Sequence, residues 1–251
     1  MTTWLWVDDA PREAAEQMAL DAALLAWVGA RDETILRLYA WREDTLSLGA
    51  HEAACRTWDR TRLAEDGVAV VRRPTGGRGV WHAATDLTYA WAGPLSSATA
   101  RQTYREIHAR LAGSLLALGL PAVVAEDHGR AADLAPGACF ELAIGGEVLV
   151  GARKVIGSAQ RIAGSAGLQH GAIARADHAE RTAAYRLEPP GPRPRHDEAP
   201  WPEAPEIAGR IAADWASAGG QFAPPELTRA LRAASVQDAE RFRDPAWTWR
   251  R

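Results

Sequence analysis

The sequence predicts a globular fold that mixes helices with strands, and three observations carry that expectation. Two stretches, 10–30 and 101–118, repeat apolar residues at helical spacing. Between and beyond them, short apolar or alternating runs bounded by Gly, Pro and Asp read as strands. The composition, 47% hydrophobic and 24% charged, suits a packed chain rather than a disordered one. A length of 251 residues allows a sizeable core.

Taken in order, Pro11 suits the first turn of a helix over 10–30, with Met18, Leu24, Leu25 and Val28 as its apolar stripe. Ile35 to Tyr39 alternates as a half-buried strand does, and Thr45 to Leu48 is the next short strand. Residues 57–66 read as a helix stopped by Gly67. Val68 to Arg72 and Gly79 to His82 read as strands, joined by a loop over 73–78, and Leu87 to Trp91 as a third. The helix over 101–118 ends near Gly119, and 121–138 reads as loop-rich. Glu147 to Val150 and Lys154 to Gln160 form a strand pair, followed by a strand from Gly167 to Ile173. Seven of the 15 prolines fall in 189–205, through which neither helix nor strand runs. Beyond it, Ile207, Ile211 and Trp215 mark one helix, and 226–234 a second. The expected organisation is a core over 1–188, a Pro-rich connection over 189–205 and a helical tail over 206–251 packed on the core. The 11 tryptophans are spread along the chain, which suits packing rather than one aromatic cage.

A net charge of −3 argues against a strongly basic nucleic-acid binder. No basic stretch leads into an apolar one near the N-terminus, and no run of about 18 apolar residues occurs, so neither a signal peptide nor a membrane span is expected. Two cysteines, Cys55 and Cys139, are too few for a disulfide framework or a Cys-rich zinc site, and the expected compartment is the cytoplasm. The histidines show no metal-binding spacing, and neither a P-loop nor a GxGxxG is present.

The basic residues are unevenly divided: one lysine, Lys154, stands against 28 arginines. A GC-rich coding bias explains the arginines. A lysine that survives such a bias holds a job that a planar guanidinium does not do. Its strand also carries Gly157, Ser158 and Ala159.

The loop Arg72-Arg73-Pro74-Thr75-Gly76-Gly77-Arg78-Gly79 is the most specialised stretch. Its glycines let a ligand lie against the backbone, whose N–H groups hold an anion or an acyl carbonyl. Its arginines suit an acidic or phosphorylated partner. The plainer alternative is a hairpin turn with solvated arginines. Cys139 precedes Lys154 by 15 positions. An ammonium nearby favours a nucleophilic thiolate and steadies a thioester oxyanion, although a lone cysteine is ordinarily a small buried hydrophobe. That plainer reading is the one expected for Cys55. His82 after the glycine loop and His170 after the lysine strand are candidates to line one pocket, against the alternative of packed histidines.

At these residues the chain resembles the lipoate–protein ligase and octanoyltransferase group, which is related to biotin protein ligases. The resemblance rests on Met18-Ala-Leu-Asp21, Leu36-Arg-Leu-Tyr39, Leu46-Ser-Leu-Gly49, the run from Arg72 to His82, and Asp86-Leu-Thr-Tyr89. It continues through Cys139-Phe140, the run from Arg153 to Gln160, and Leu168-Gln-His-Gly171. It implies an α+β fold with a mixed, mostly antiparallel sheet flanked by helices. It also implies a pocket for a medium-chain acyl or lipoyl group between the glycine loop and the lysine strand.

Members of this group join such an acyl group to a lysine of a lipoyl carrier domain, by one of two chemistries. Ligases activate free lipoate with ATP and magnesium. Octanoyltransferases take octanoate from acyl carrier protein through a cysteine thioester, without ATP or another cofactor. Three features favour the transferase: Cys139-Phe140 at the position of a nucleophile, Arg78 where ligases have a third glycine, and a chain too short for a full accessory domain. Ala152, in place of a glycine, and the stretch from Leu142 to Gly146 depart from the pattern. By this resemblance Cys139 and Lys154 are catalytic. Arg72, Arg73, Thr75, Gly76, Gly77, Arg78, His82, Gly157, Ser158, Ala159 and His170 bind substrate, and no metal is held. The implied partners are acyl carrier protein and the lipoyl domains of glycine cleavage H protein or of the E2 of a 2-oxoacid dehydrogenase. The rivals are an ATP-dependent lipoate ligase, a lipoyl amidotransferase and a non-catalytic acyl-binding module.

Overall fold

A computed structural model describes residues 2–8, 10–126, 145–188 and 200–250. The chain runs through β1 (Thr2–Val7), α1 (Ala14–Val28), β2 (Glu33–Tyr39), β3 (Thr45–Leu48), α2 (Arg60–Glu65), β4 (Ala69–Arg72), β5 (Val80–His82) and β6 (Leu87–Pro94). Then follow α3 (Ala100–Ala117), β7 (Ala122–Val124), β8 (Val148–Val150), β9 (Arg153–Ala163), β10 (Ala166–Ile173) and α4 (Ala179–Ala183). The chain closes with α5 (Ala204–Ser217), β11 (Gln221–Phe222), α6 (Pro225–Arg243) and α7 (Pro245–Thr248).

Eight strands form one sheet in the order β11-β1-β2-β6-β10-β9-β8-β7. Its β11–β1 and β1–β2 pairs are parallel and the others antiparallel, which makes it the mixed, mostly antiparallel sheet expected. A smaller sheet, β4-β3-β5, carries the glycine loop between β4 and β5.

Helices cover both faces of the large sheet. Alternate residues of β2 show the division: Leu36 and Leu38 join α3 and α5 in one apolar cluster, whereas Ile35 and Tyr39 join α1 and α6 in another. This follows from the pleat, which sends successive side chains to opposite faces. Helix α1 is buried nearly all round, because it lies between the sheet and α6. All eight residues of the central β10 are buried.

Several elements differ from expectation. The first helix starts at Ala14; Pro11 lies before it, and Arg12 bridges to Trp41 instead. The helix placed at 57–66 is reduced to α2, capped by the Asp59 side chain, after a single 3-10 turn at Ala54–Arg56. That turn leaves Cys55 exposed, which corrects the reading of it as a buried hydrophobe. Strand β1 has no counterpart in the sequence reading, β7 lies in the stretch read as loop, and α6 continues to Arg243. No helix among the described residues is long and apolar enough to cross a membrane.

Candidate active site

The glycine loop is built from inside. The Arg73 guanidinium donates to the Ser47 carbonyl (2.9 Å) and to the carbonyls of Gly76 and Arg78 (both 2.7 Å), which wraps the loop around it. Gly77 has φ +91°, a region that L side chains rarely adopt. Its carbonyl lies so close to Gly49 that a Cβ there would sit 1.8 Å from the oxygen. Gly49→Ala therefore pushes the loop outward. The expected result is a loss of about 1–3 kcal/mol, the usual cost of overpacking, read by thermal unfolding.

Arg72 is fully buried and points elsewhere. It donates to the carbonyls of Gly49 (2.6 Å), Glu52 (2.9 Å), Thr248 (2.8 Å) and Arg250 (3.1 Å). Arg72 and Arg73 thus shape the backbone, in contrast to the expected role of surface cations for an acidic partner. Arg78, Gly76 and Gly77 are the solvent-facing part of the loop.

Between the loop and the β9–β10 hairpin lies a small cavity. Met18, Trp41, Val80, Ala159 and Ala172 give it an apolar lining, and Arg73, His82, Gly157, Ser158 and His170 also border it. The structure therefore gathers six of the expected substrate-binding residues, Ala159 included, around one space. Thr75 adjoins it through a 2.6 Å hydrogen bond to His170 Nε2.

Two histidines are fixed there. Burial, with the Arg73 guanidinium nearby, pushes the His82 imidazole well below its ordinary pKa, so it is neutral at pH 7. Its Nε2 meets Ser47 Oγ at 2.8 Å, its ring packs on Trp41, and its Nδ1 is buried without a partner among the described residues. His170 Nδ1 lies 2.7 Å from Asp21 Oδ2. Asp21 also accepts from Tyr39 (3.0 Å) and Arg37 (3.1 Å), and Arg37 reaches Gln17 and Asp8. A buried polar chain thus runs from the glycine loop through His170 into α1 and β2 and on to Asp8, just after β1.

Lys154 does not border the cavity. It lies on the strand that forms one wall, three residues before Gly157, and its side chain is buried. Lys154 Nζ donates to the buried carboxylate of Glu147. On the α3 side of the sheet, His108 is fully buried, which lowers its pKa to about 4; the Lys154 charge acts in the same direction. Its Nδ1 meets the Gly146 carbonyl at 2.6 Å and its Nε2 meets Ser158 Oγ at 2.7 Å. Ser158 Oγ also lies 2.6 Å from the Tyr89 hydroxyl. Cys139 lies outside the described residues.

The sequence reading gave no role to Asp21, Arg37, Glu147, Tyr89 or His108. Among the described residues, no group of three or more His, Cys, Asp or Glu is placed to hold a metal ion.

Residues 13–182 match the model of the lipoyl protein ligase A/B catalytic domain. The chain belongs to this family. The match contains the glycine loop, the cavity walls and Lys154, and it ends before α5. Among the curated members, the octanoyltransferase LipM of Carboxydothermus hydrogenoformans is 41% identical over 178 residues, covering 69% of this chain and 65% of that relative. The LipM proteins of Moorella thermoacetica and Staphylococcus aureus are 34% and 32% identical, over 68% of this chain and 64% and 65% of their own lengths. The chain thus matches just under two thirds of the length of these relatives. The same fold is found in a lipoate-protein ligase A bound with ATP, at TM-score 0.79 and 18% identity over 99% of both chains. It recurs in a bi-partite lipoate protein ligase from Thermoplasma acidophilum, at TM-score 0.75 and 17% identity over 99% of this chain and 96% of that one. At such identity these two likenesses speak for the family's fold alone.

Proposed function

We propose that this protein is an octanoyltransferase that moves an octanoyl group from acyl carrier protein to a lysine of a lipoyl carrier domain. The observation that carries this reading is the apolar cavity between the glycine loop and the lysine strand, in a chain 32–41% identical to curated octanoyltransferases. The lining suits an eight-carbon chain, whose burial is favoured by roughly 0.8 kcal/mol per CH₂.

In this reading the Cys139 thiolate adds to the thioester carbonyl. The carbon–sulfur bond to the carrier breaks, and the carrier leaves as a thiol after taking a proton. The neutral amine of the target lysine then attacks the enzyme thioester. A carbon–nitrogen bond forms, the bond to Cys139 breaks, and the surplus amine proton is released as the thiolate is restored. Lys154 stabilises the negative charge that develops at sulfur and carbonyl oxygen. A thioester carries its own activation, so no ATP or other cofactor is needed.

The targets are lipoyl domains of the kind found in glycine cleavage H protein and in the E2 of 2-oxoacid dehydrogenases, and the compartment is the cytoplasm. Residues 206–251 complete the catalytic unit over 1–188, a division supported by the bonds from Arg72 to the carbonyls of Thr248 and Arg250.

Intact-mass spectrometry with octanoyl acyl carrier protein, without ATP, tests this. The wild type is expected to gain one hydroxylamine-sensitive octanoyl group and Cys139→Ala none. Product that forms only with free octanoate or lipoate and ATP, at equal rates in both proteins, sinks the reading in favour of a ligase.

A further inference from the structure

Three guanidiniums from separate parts of the chain meet beside the glycine loop. Arg161 lies two residues past Ala159 on β9, so the pleat sends its side chain to the same face as Gly157 and Ala159, which border the cavity. It donates to the Pro74 carbonyl at 3.3 Å. Arg250, after α7, donates to the Ala50 carbonyl at 3.2 Å, and the Ala50 N–H donates to the Thr75 carbonyl at 2.8 Å. Arg161 is thus tied to the loop one residue before Thr75, and Arg250 to the residue that bonds Thr75. Arg241, near the end of α6, completes the group. Trp247 is the platform it shares with Arg250: the two guanidiniums lie 4.9 and 3.5 Å from the ring centroid. The Trp247 indole N–H donates to the Arg72 carbonyl at 3.3 Å, which fixes the platform to the base of the loop.

This positive cluster is not neutralised from within. Among the described residues neither Arg161 nor Arg250 forms an ion pair with a carboxylate, and Arg241 pairs with Asp238 at 3.1 Å, both side chains being partly exposed. Burial lowers the Arg250 pKa from its ordinary value, and the Arg241 and Arg161 charges beside it lower it further. Arg161 and Arg241 are exposed and Arg250 is half-buried. A guanidinium has five N–H donors, of which Arg161 gives one to Pro74 and Arg250 one to Ala50, so donors remain for a partner. Like charges gathered in this way weaken the fold but speed the arrival of an anionic partner. Arg241 and Arg250 lie outside residues 13–182, so the match to the catalytic domain does not account for this surface.

We propose that Arg161, Arg241 and Arg250 form the docking surface for the acidic side chains of the acyl carrier protein. The wall of the cavity runs into this surface through Arg161, which suits the partner that delivers an acyl chain over the one that brings only an amine. The acidic partner expected from the sequence is met by these arginines, while Arg72 and Arg73 are held by the backbone. This deepens the octanoyltransferase reading and rests on it.

The test compares two donors of the same octanoyl group. Octanoyl acyl carrier protein uses the surface, whereas octanoyl-pantetheine, small and uncharged, does not. Acylation by each is followed by intact mass, and transfer to a lipoyl domain is followed separately. In Arg241→Gln/Arg250→Gln, kcat/KM with the carrier protein is expected to fall about tenfold at low ionic strength, chiefly through KM, with octanoyl-pantetheine reacting as in wild type. Added salt is expected to slow carrier acylation in wild type and to act less on the variant. Arg241→Lys/Arg250→Lys keeps both charges and is expected to retain most of the rate with the carrier. Equal slowing with both donors assigns these arginines to the fold and overturns the proposal. So does carrier acylation as fast as in wild type, a lysine variant as slow as the glutamine one, or slowing confined to transfer onto the lipoyl domain. If wild type itself forms no octanoyl adduct with the carrier, the octanoyltransferase reading falls first and takes this proposal with it.

Discussion

Lys154→Ala is expected to unfold more easily by about 3–5 kcal/mol, the range for removing one partner of a buried ion pair. Lys154 and Glu147 are both nearly enclosed, with side chains 2% and 6% exposed. Alanine removes the ammonium from beside a carboxylate that solvent does not reach. In a chain of this size the loss corresponds to a fall in melting temperature of roughly 6–20 °C. Acyl transfer is expected to fall about a hundredfold or more, the scale of losing a donor to a developing oxyanion. The two losses are separable. Lys154→Met combined with Glu147→Gln removes both charges while keeping side-chain length, and is expected to regain most of the stability without the activity. A double variant that regains both would leave Lys154 with a packing role only. Lys154→Arg keeps the charge but forces a planar fork into the site of a point charge, and is expected to fail in transfer as well.

Asp21→Ala is expected to cost a similar amount, about 3–5 kcal/mol, for a different reason. One carboxyl receives hydrogen bonds from Arg37 and Tyr39 and contacts His170, all deep in the protein. Its loss leaves the Tyr39 hydroxyl and the His170 ring without that acceptor, and Thr75 at the glycine loop without a fixed neighbour. Thermal unfolding reads the stability, and slower octanoyl loading reads the loosened loop. The same network predicts acid sensitivity. Burial pushes the Asp8 carboxyl up, but Arg37 and Arg12 outweigh it and hold Asp8 at about 2. A carboxyl held below its ordinary value stabilises the fold fully above about pH 4, and that share is lost as pH falls through 2. Asp8→Asn is expected to flatten this acid limb. An unchanged limb would mean that other carboxyls govern it.

These residues also show how far the sequence could be read. Lys154 was visible as the one lysine among arginines, and the glycine loop as a cluster of residues without side chains. Arg37 was not. It sits on the polar phase of an alternating strand, which by itself points to solvent. The structure buries it because α1 covers that face of the sheet and brings Asp21 to meet it. Asp21 carried a signal of its own, an acidic residue amid the apolar stripe of a helix. So did His108, which shares the inward face of α3 with Leu111 and Leu115. In each case the partner lies on an element distant in sequence, so the residue's own helix or strand could not reveal its role. Strand β1 was missed because its pairing comes from β2 and β11 rather than from a neighbouring hairpin.

The grip of Arg72 on the carbonyls of Thr248 and Arg250 has a consequence for biogenesis. The arginine meets chain that is made 176 and 178 positions later. Folding during synthesis proceeds from the N-terminal side. The sheet and α1 therefore have time to form while the base of the glycine loop still lacks these acceptors. A buried guanidinium without them is costly, so the nascent loop stays open until residue 250 has emerged from the ribosome. The cavity beside the glycine loop thus takes its final form only after the segment that carries Thr248 and Arg250 has been made.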